Sequence, residues 1–283
     1  LTEPCMIHIS GSLAFDRIMT FPGHFEEHIL PEKLHFLNVS FPIDRLEEKM
    51  GGTAGNIAYS LSLLKERSAI YGTVGKDFTG YGRRLAAMGI DLDGVKIDDE
   101  DFTACCYIMT PVFPEKAPVV SEGDWGLVAP GNVDDMVNFP AFYREQGIPY
   151  IFDPGQQITV LGGEQLTSGL TGAHVLIGND YEIQRVENLT GLSREELLDR
   201  VEFLIITFGG KGSTILHKGV KPYDIPAVPA RTVSDPTGAG DAYRGGLLFG
   251  LTSGLGPVVS ARIASIMGAI KVRDSGVQNY VTT

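Results

Sequence analysis

The chain alternates between short apolar runs and longer stretches of helical composition. Residues 6–9, 69–74, 127–129, 150–152, 175–178 and 204–207 are brief apolar runs, the length of a strand buried on both faces. Helices are expected between them and after them, notably through Met88, over 134–146, on both sides of 175–178, over 239–251 and over 257–272. This alternation predicts an α/β fold with a doubly wound, mostly parallel sheet covered on both faces. Polar or glycine clusters follow the strands, as in Asp153-Pro154-Gly155, Asn179-Asp180-Tyr181-Glu182 and Gly209-Gly210-Lys211-Gly212. In such folds ligands sit beyond the carboxyl ends of the strands. An amphipathic helical stretch over 57–64 is opened by Gly51-Gly52-Thr53-Ala54-Gly55-Asn56.

Two regions break the alternation. Residues 17–49 carry Phe21, Phe25, Phe36 and Phe41, three prolines, and strand-like runs at 36–39 and 46–50, which predict a small inserted sheet. A second β-like region at 102–110 follows the run 90–97 and stops at Pro111-Val112-Phe113-Pro114, where a hairpin partner is expected. The whole chain, 1–283, therefore reads as one domain with a small β-sheet lid from about 12–50 and 100–120. His24 and His28 have the i, i+4 spacing of metal ligands, but Phe25 stands where a zinc-protease motif needs Glu, so they read as surface histidines.

Composition narrows the partners. A net charge of −12 and a pI near 4.9 argue against nucleic acid or an anionic membrane. Three cysteines, two of them the adjacent Cys105 and Cys106, form neither a disulfide framework nor a C-x-x-C pair and fit a reducing cytoplasm. No apolar run reaches membrane-spanning length and no signal-peptide pattern opens the sequence, so a cytoplasmic protein is expected.

The chemistry concentrates at Asp235-Pro236-Thr237-Gly238-Ala239-Gly240-Asp241. Gly238 and Gly240 let the backbone turn tightly and present bare N–H groups at a helix start, a site for phosphate or another anion. Asp241 there is either an ordinary first-turn carboxylate or a base that takes a proton from an attacking hydroxyl. A base beside an anion hole is the equipment of phosphoryl transfer. Neither a dinucleotide fingerprint nor a Walker A loop fits: Tyr243 occupies the third glycine position of the former, and Gly212 follows Gly210-Lys211 in the latter.

The segment resembles the C-terminal signature of the ribokinase-type (PfkB) family of carbohydrate and nucleoside kinases, with Pro236 where Thr is commoner. Gly51-Gly52-x-x-x-Asn56 resembles the family's N-terminal signature. The resemblance implies ribokinase-like architecture and an ATP- and magnesium-dependent kinase. In it, the Gly238, Ala239 and Gly240 backbone holds the transferring phosphate and Asp241 is the base. Gly51, Gly52 and Asn56 contact the acceptor sugar and Asp16 binds its hydroxyls, although a lone loop Asp is otherwise a turn former. Asn56, as donor and acceptor, suits a vicinal diol. Asn179-x-x-Glu182 resembles the motif whose Glu orders magnesium through water, the alternative being a helix N-terminal turn. Thr207-x-Gly209-x-x-Gly212 resembles the nucleotide-phosphate loop, the alternative being a hairpin turn. Thr237 joins the ATP contacts, and potassium is implied near the late signature as a monovalent cation that family members use. Val228-Pro229-Ala230 and helix 257–272 read equally as adenine walls or core.

The stretch Ser12-Leu13-Ala14-Phe15-Asp16, with Phe21, Phe36, Phe41, Phe102 and Tyr107, is apolar apart from Asp16. A flat base is covered well by such side chains, whereas a free sugar needs polar walls. This stretch resembles the adenosine and nucleoside kinase branch, with Phe15 among the acceptor contacts. The expected reaction is phosphorylation of a nucleoside, adenosine first, at its 5′-hydroxyl; a ribose or fructose kinase is the alternative. Small-molecule acceptor and ATP are the expected partners, for a monomer or homodimer.

Overall fold

The computed structural model describes residues 6–20, 45–105 and 120–282. Among these, the apolar runs line up as one sheet. Its central parallel strands are β1 (Met6–Ser10), β4 (Arg67–Gly75), β5 (Asp91–Asp98), β6 (Trp125–Val128), β7 (Tyr150–Phe152), β8 (Val175–Asn179) and β9 (Phe203–Thr207). A smaller pair, β2 (Ala14–Thr20) and β3 (Arg45–Gly51), lies antiparallel outside it, with Asp16 opposite Lys49. At the far edge β10 (Ser213–Leu216) and β11 (Tyr223–Ile225) run antiparallel, giving the order β11-β10-β9-β8-β7-β6-β1-β4-β5. β11 was not legible as a strand, because only Ile225 of its three residues is buried.

Strand alternation distributes the core between two faces. Ile7, Ile9, Leu127, Ile151, Ile177 and Ile205 point to one side, where they meet α1 (Thr53–Leu63), α2 (Thr79–Ala87), α7 (Ala239–Thr252) and α8 (Pro257–Lys271). Val128, Phe152, Leu176 and Leu204 point to the other, against α3 (Val133–Gln146), α4 (Gly163–Leu170), α5 (Asp180–Thr190) and α6 (Arg194–Leu198). α1 is not amphipathic as its sequence predicts. Ala54 through Leu61 are all buried, because α7 packs on the side turned away from the sheet. A Cβ on Gly245 of α7 would lie 2.6 Å from the Ser60 Cβ of α1.

After β1 the chain builds β4 and β5 on one side, then returns to place β6 on the other. That reversal opens a crevice at the carboxyl ends of β1 and β6. Backbones converge there: a Cβ on Gly131 would be 2.9 Å from the Cα of Gly11. The lid strands stand beside this end, and the second limb touches them through a parallel bridge between Phe15 and Cys105. Phe21, Phe25, Phe36, Phe41, Tyr107, His24, His28 and the expected strand at 36–39 lie outside the described residues. Among the described residues no helix is long and apolar enough to cross a membrane.

Glycines set the closest helix contact. A Cβ on Gly250 of α7 would lie 2.6 Å from the Ser260 Cα of α8. Gly250→Val is expected to cost about 1–3 kcal/mol through overpacking. Gly80→Ala, in α2 with nothing within 4 Å of the new carbon, should instead stabilise by about 0.5–1 kcal/mol. Urea unfolding of both variants checks the two opposite signs.

Candidate active site

α7 begins on a glycine in the left-handed region. Gly238 has φ 78°, and a Cβ there would press within 2.8 Å of the Val277 side chain. The Ala239 N–H closes on the Pro236 carbonyl at 3.1 Å, turning the chain into the helix. First-turn N–H groups have no intrahelical acceptor, and Gly240 and Thr237 are exposed. The turn therefore offers donors and the positive end of a helix dipole to an anion.

Asp241 follows, half-buried, in the first turn. Its Oδ2 accepts from Asn56 Nδ2 at 2.9 Å. Gln278 Nε2 donates to Asn56 Oδ1 at 2.9 Å and to the Tyr81 hydroxyl at 2.7 Å, while Tyr81 donates to the Gly51 carbonyl at 2.8 Å. Because Gln278 presents a donor to the Asn56 oxygen, the Asn56 amide must turn its NH2 toward Asp241. Asn56 thus already has one donor and its oxygen engaged within the protein, where the sequence reading offered them to a diol. Burial pushes the Asp241 carboxyl above its ordinary range, with Asp153 and Asp16 adding to the rise and Arg244 and Asn56 opposing it.

Arg244 is one turn further along α7 and buried. Its guanidinium grips Asp153, at the end of β7, through Nε to Oδ2 and through Nη2 to Oδ1 at 2.8 Å, and Nη1 donates to the Gly240 carbonyl at 3.1 Å. Desolvation works against its charge, but Asp153 foremost, then Asp241 and Glu182, raise its pKa overall.

The remaining predicted residues fall around this centre. Asp16, half-buried on β2, is close enough to raise the pKa of Asp241. A Cβ on Gly51 would collide with the Asp16 carboxylate, and Gly52, at φ 86°, caps α1 where a Cβ would meet the Ser12 carbonyl at 2.6 Å. Asn179 and Glu182 form a reciprocal capping box at the start of α5, each side chain 2.8 Å from the other's N–H. Glu182 is raised mainly by burial, and Asp153 and Arg244 are both within its electrostatic reach. Thr207 pairs with Ser213 across the β9–β10 hairpin, so Gly209 and Gly212 form a hairpin loop, with Gly212 at φ 101°. Phe15 is 6% exposed and tilted against Tyr81 at 5.9 Å. It belongs to the core rather than to an open wall, because β2 turns alternate side chains inward. Phe102 is exposed and carries Lys76 Nζ 4.3 Å over its ring. Val228 and Ile266 of α8 are exposed at 39% and 46%, so this apolar stretch is surface on one side and core on the other.

The sequence matches the pfkB family carbohydrate kinase over residues 13–112 and 130–283. The chain belongs to that family. Among solved structures, Burkholderia thailandensis nucleoside kinase in complex with inosine is 36% identical, with a TM-score of 0.83 over 98% of this chain and 94% of that one. The nucleoside kinase of Methanocaldococcus jannaschii is 29% identical over 270 residues, covering 89% of this chain and 88% of its own. A ribokinase from Cryptococcus neoformans in complex with ADP, 19% identical with a TM-score of 0.78, shares the fold.

The kinase thus brings Asp16, Gly51, Gly52, Asn56, Asp241 and the Gly238–Gly240 turn to one end of the sheet, with Glu182 nearby. Sequence reasoning missed the functions of Arg244, Asp153, Tyr81 and Gln278. Arg244 stands inside the glycine-rich segment and Asp153 at a strand end, which was their available signal; Gln278 has none. Asp153→Ala is expected to destabilise by about 3–5 kcal/mol, since it strands a buried guanidinium. Adding Arg244→Met should recover part of that loss, a coupling that a urea-denaturation double-mutant cycle reads directly.

Proposed function

We propose that this kinase transfers the γ-phosphate of ATP to the 5′-hydroxyl of a purine nucleoside. The observation that carries the reading is Asp241: a desolvated carboxylate beside a glycine turn of helix N–H donors, steered by Asn56. Asp16 accepts hydrogen bonds from the ribose hydroxyls and orients the 5′-hydroxyl toward Asp241. Asp241 takes the proton as the oxygen attacks phosphorus, and its raised pKa makes it a better base than an exposed aspartate. The Ala239 N–H closes the turn on the Pro236 carbonyl, and the N–H groups of Gly238 and Gly240 on either side of it meet the charge that develops on the phosphoryl oxygens. Asn179, Thr207, Gly209, Gly212 and Thr237 hold the nucleotide's phosphates at the adjoining strand ends.

Magnesium fits this arrangement as a hydrated ion. It uses one or two carboxylates together with phosphate oxygens and keeps several waters. Glu182 engages one carboxylate oxygen with the Asn179 N–H and has the other left for such a water. Among the described residues no group of three His, Cys, Asp or Glu forms a cage. When bound, the ion supplies positive charge against the phosphates.

Kinship to nucleoside kinases, one of them solved with inosine, supports a nucleoside over a free sugar. The specificity constant for adenosine or inosine is expected to exceed that for ribose or fructose by at least ~100-fold in an ADP-release assay. Equal rates with a free sugar would overturn the nucleoside assignment and leave phosphoryl transfer standing.

The base has its own test. Asp241→Asn should lower kcat by ~10²–10⁴ while nucleoside affinity changes less than about tenfold. Asp241 works only as the anion, so kcat/KM falls as pH drops through its pKa, and the acid limb lies above the ordinary aspartate range. Asn56 donates to that anion; Asn56→Ala should therefore move the limb to still higher pH. A limb that stays put would return Asp241 to a helix cap.

A further inference from the structure

A cation is built in beneath the anion-binding turn. Lys271, the last residue of α8, is 0% exposed, and its Nζ donates to the Asp235 carbonyl at 2.8 Å and the Asp274 carbonyl at 3.4 Å. The Asp235 Oδ2 lies 3.8 Å from the same nitrogen. Burial pulls the Lys271 pKa below its ordinary value, with Asp235 and Asp274 opposing the shift. A buried ammonium persists where it is paired and hydrogen-bonded, and both conditions hold. Asp235 is firmly an anion: the Gly276 N–H foremost, then Thr237 and Lys271, hold its carboxyl down at about 2.

The ammonium joins two loops that carry the turn. Ser234 and Asp235 both donate backbone N–H groups to the Val272 carbonyl, at 2.8 and 3.2 Å. Asp235 Oδ1 accepts from the Thr237 N–H at 2.9 Å and Oδ2 from the Gly276 N–H at 3.0 Å. Val277, next after Gly276, is the residue that packs under Gly238. Lys271 therefore offsets the charge of Asp235, the carboxylate that holds the Thr237 N–H at the entry to the turn, and pins the loops on either side of it. Without that charge, Asp235 would face an incoming phosphate as an uncompensated anion.

Family resemblance implies a monovalent metal cation near this signature, and a potassium ion there would need carbonyl and carboxylate oxygens. The oxygens gathered here, from Asp235 and Asp274, already receive an ammonium, so the residues do not fit an added ion. We propose that the Lys271 ammonium is the chain's own monovalent cation and that catalysis by this kinase is independent of potassium. The inference rests on the nucleoside-kinase reading, but its outcome is separable from it. An enzyme inactive toward nucleosides in every cation would refute that reading; an enzyme active only with potassium would refute this one.

The test compares wild type in potassium chloride with wild type in tetramethylammonium chloride at equal ionic strength, with magnesium and ATP constant. Equal kcat in the two salts is expected. Lys271→Ala removes the charge and opens room for an ion. In tetramethylammonium its kcat should fall ~10–100-fold, the scale of lost outer-shell support, and potassium or ammonium should restore most of it. Potassium should also raise the melting temperature of this variant by at least about 2 °C while leaving wild type unchanged. Lys271→Met fills the space without a charge and should be slow in every salt. Potassium activation of wild type, or a Lys271→Ala enzyme indifferent to potassium in both rate and melting temperature, would overturn the proposal. The wild-type comparison decides the matter even where a variant does not fold.

Discussion

The ion pair between Arg244 and Asp153 fixes where everything else in the site stands. It joins α7 to the carboxyl end of β7, elements 91 residues apart, in surroundings closed to water. A buried pair of this kind gains little net stability, since desolvation offsets most of its attraction. Its value is geometric: a bidentate guanidinium accepts one orientation of its partner. Because Arg244 and Asp241 belong to one helix, holding the guanidinium sets the roll of α7 and so the aim of Asp241. The Nη1 bond to the Gly240 carbonyl carries the same restraint into the first turn. The Asn56 bond adds a second tether from α1, so the Asp241 carboxylate is held from two directions.

This arrangement also reconciles an acidic protein with a phosphate substrate. The chain carries a net charge of −12; Asp16 and Asp153 both act on Asp241, and Asp153 also acts on Glu182. What an anion meets at the turn is local: helix N–H donors and dipole above, with Arg244 and Lys271 set into the protein behind them. Low-dielectric surroundings strengthen these fixed charges over distant surface ones, which solvent and salt screen. A negative net charge therefore does not forbid binding of a small, oriented anion.

Sequence pattern was most informative where a local constraint decides the outcome. A short apolar run flanked by glycine or proline has few ways to bury itself except as a strand of a covered sheet, and β1, β4, β7, β8 and β9 lie where the pattern places them. Gly52 and Gly238 are legible as turns because their left-handed backbone disfavours other residues. Asn179 and Glu182 are legible as a helix start for a similar reason, since their reciprocal bonds span three positions. The pattern failed at α1, where alternating small and apolar residues looked one-sided. α7 covers the second side, and no local periodicity announces a helix from the far end of the chain.

The sequence by itself determined the layered α/β architecture, the glycine turn before α7 and the carboxylate that follows it, because propensity and backbone sterics act within a few residues. Tertiary structure alone decided what those groups touch. Asn56 faces Asp241 across 185 residues, Gln278 reaches Asn56 across 222, and Arg244 meets Asp153 only once β7 and α7 pack. Phe15 turned inward and Lys271 was buried against two carbonyls for the same reason. Hydrogen-bond partners and desolvation are properties of the packed interior, and a string of residue types encodes them only through the fold.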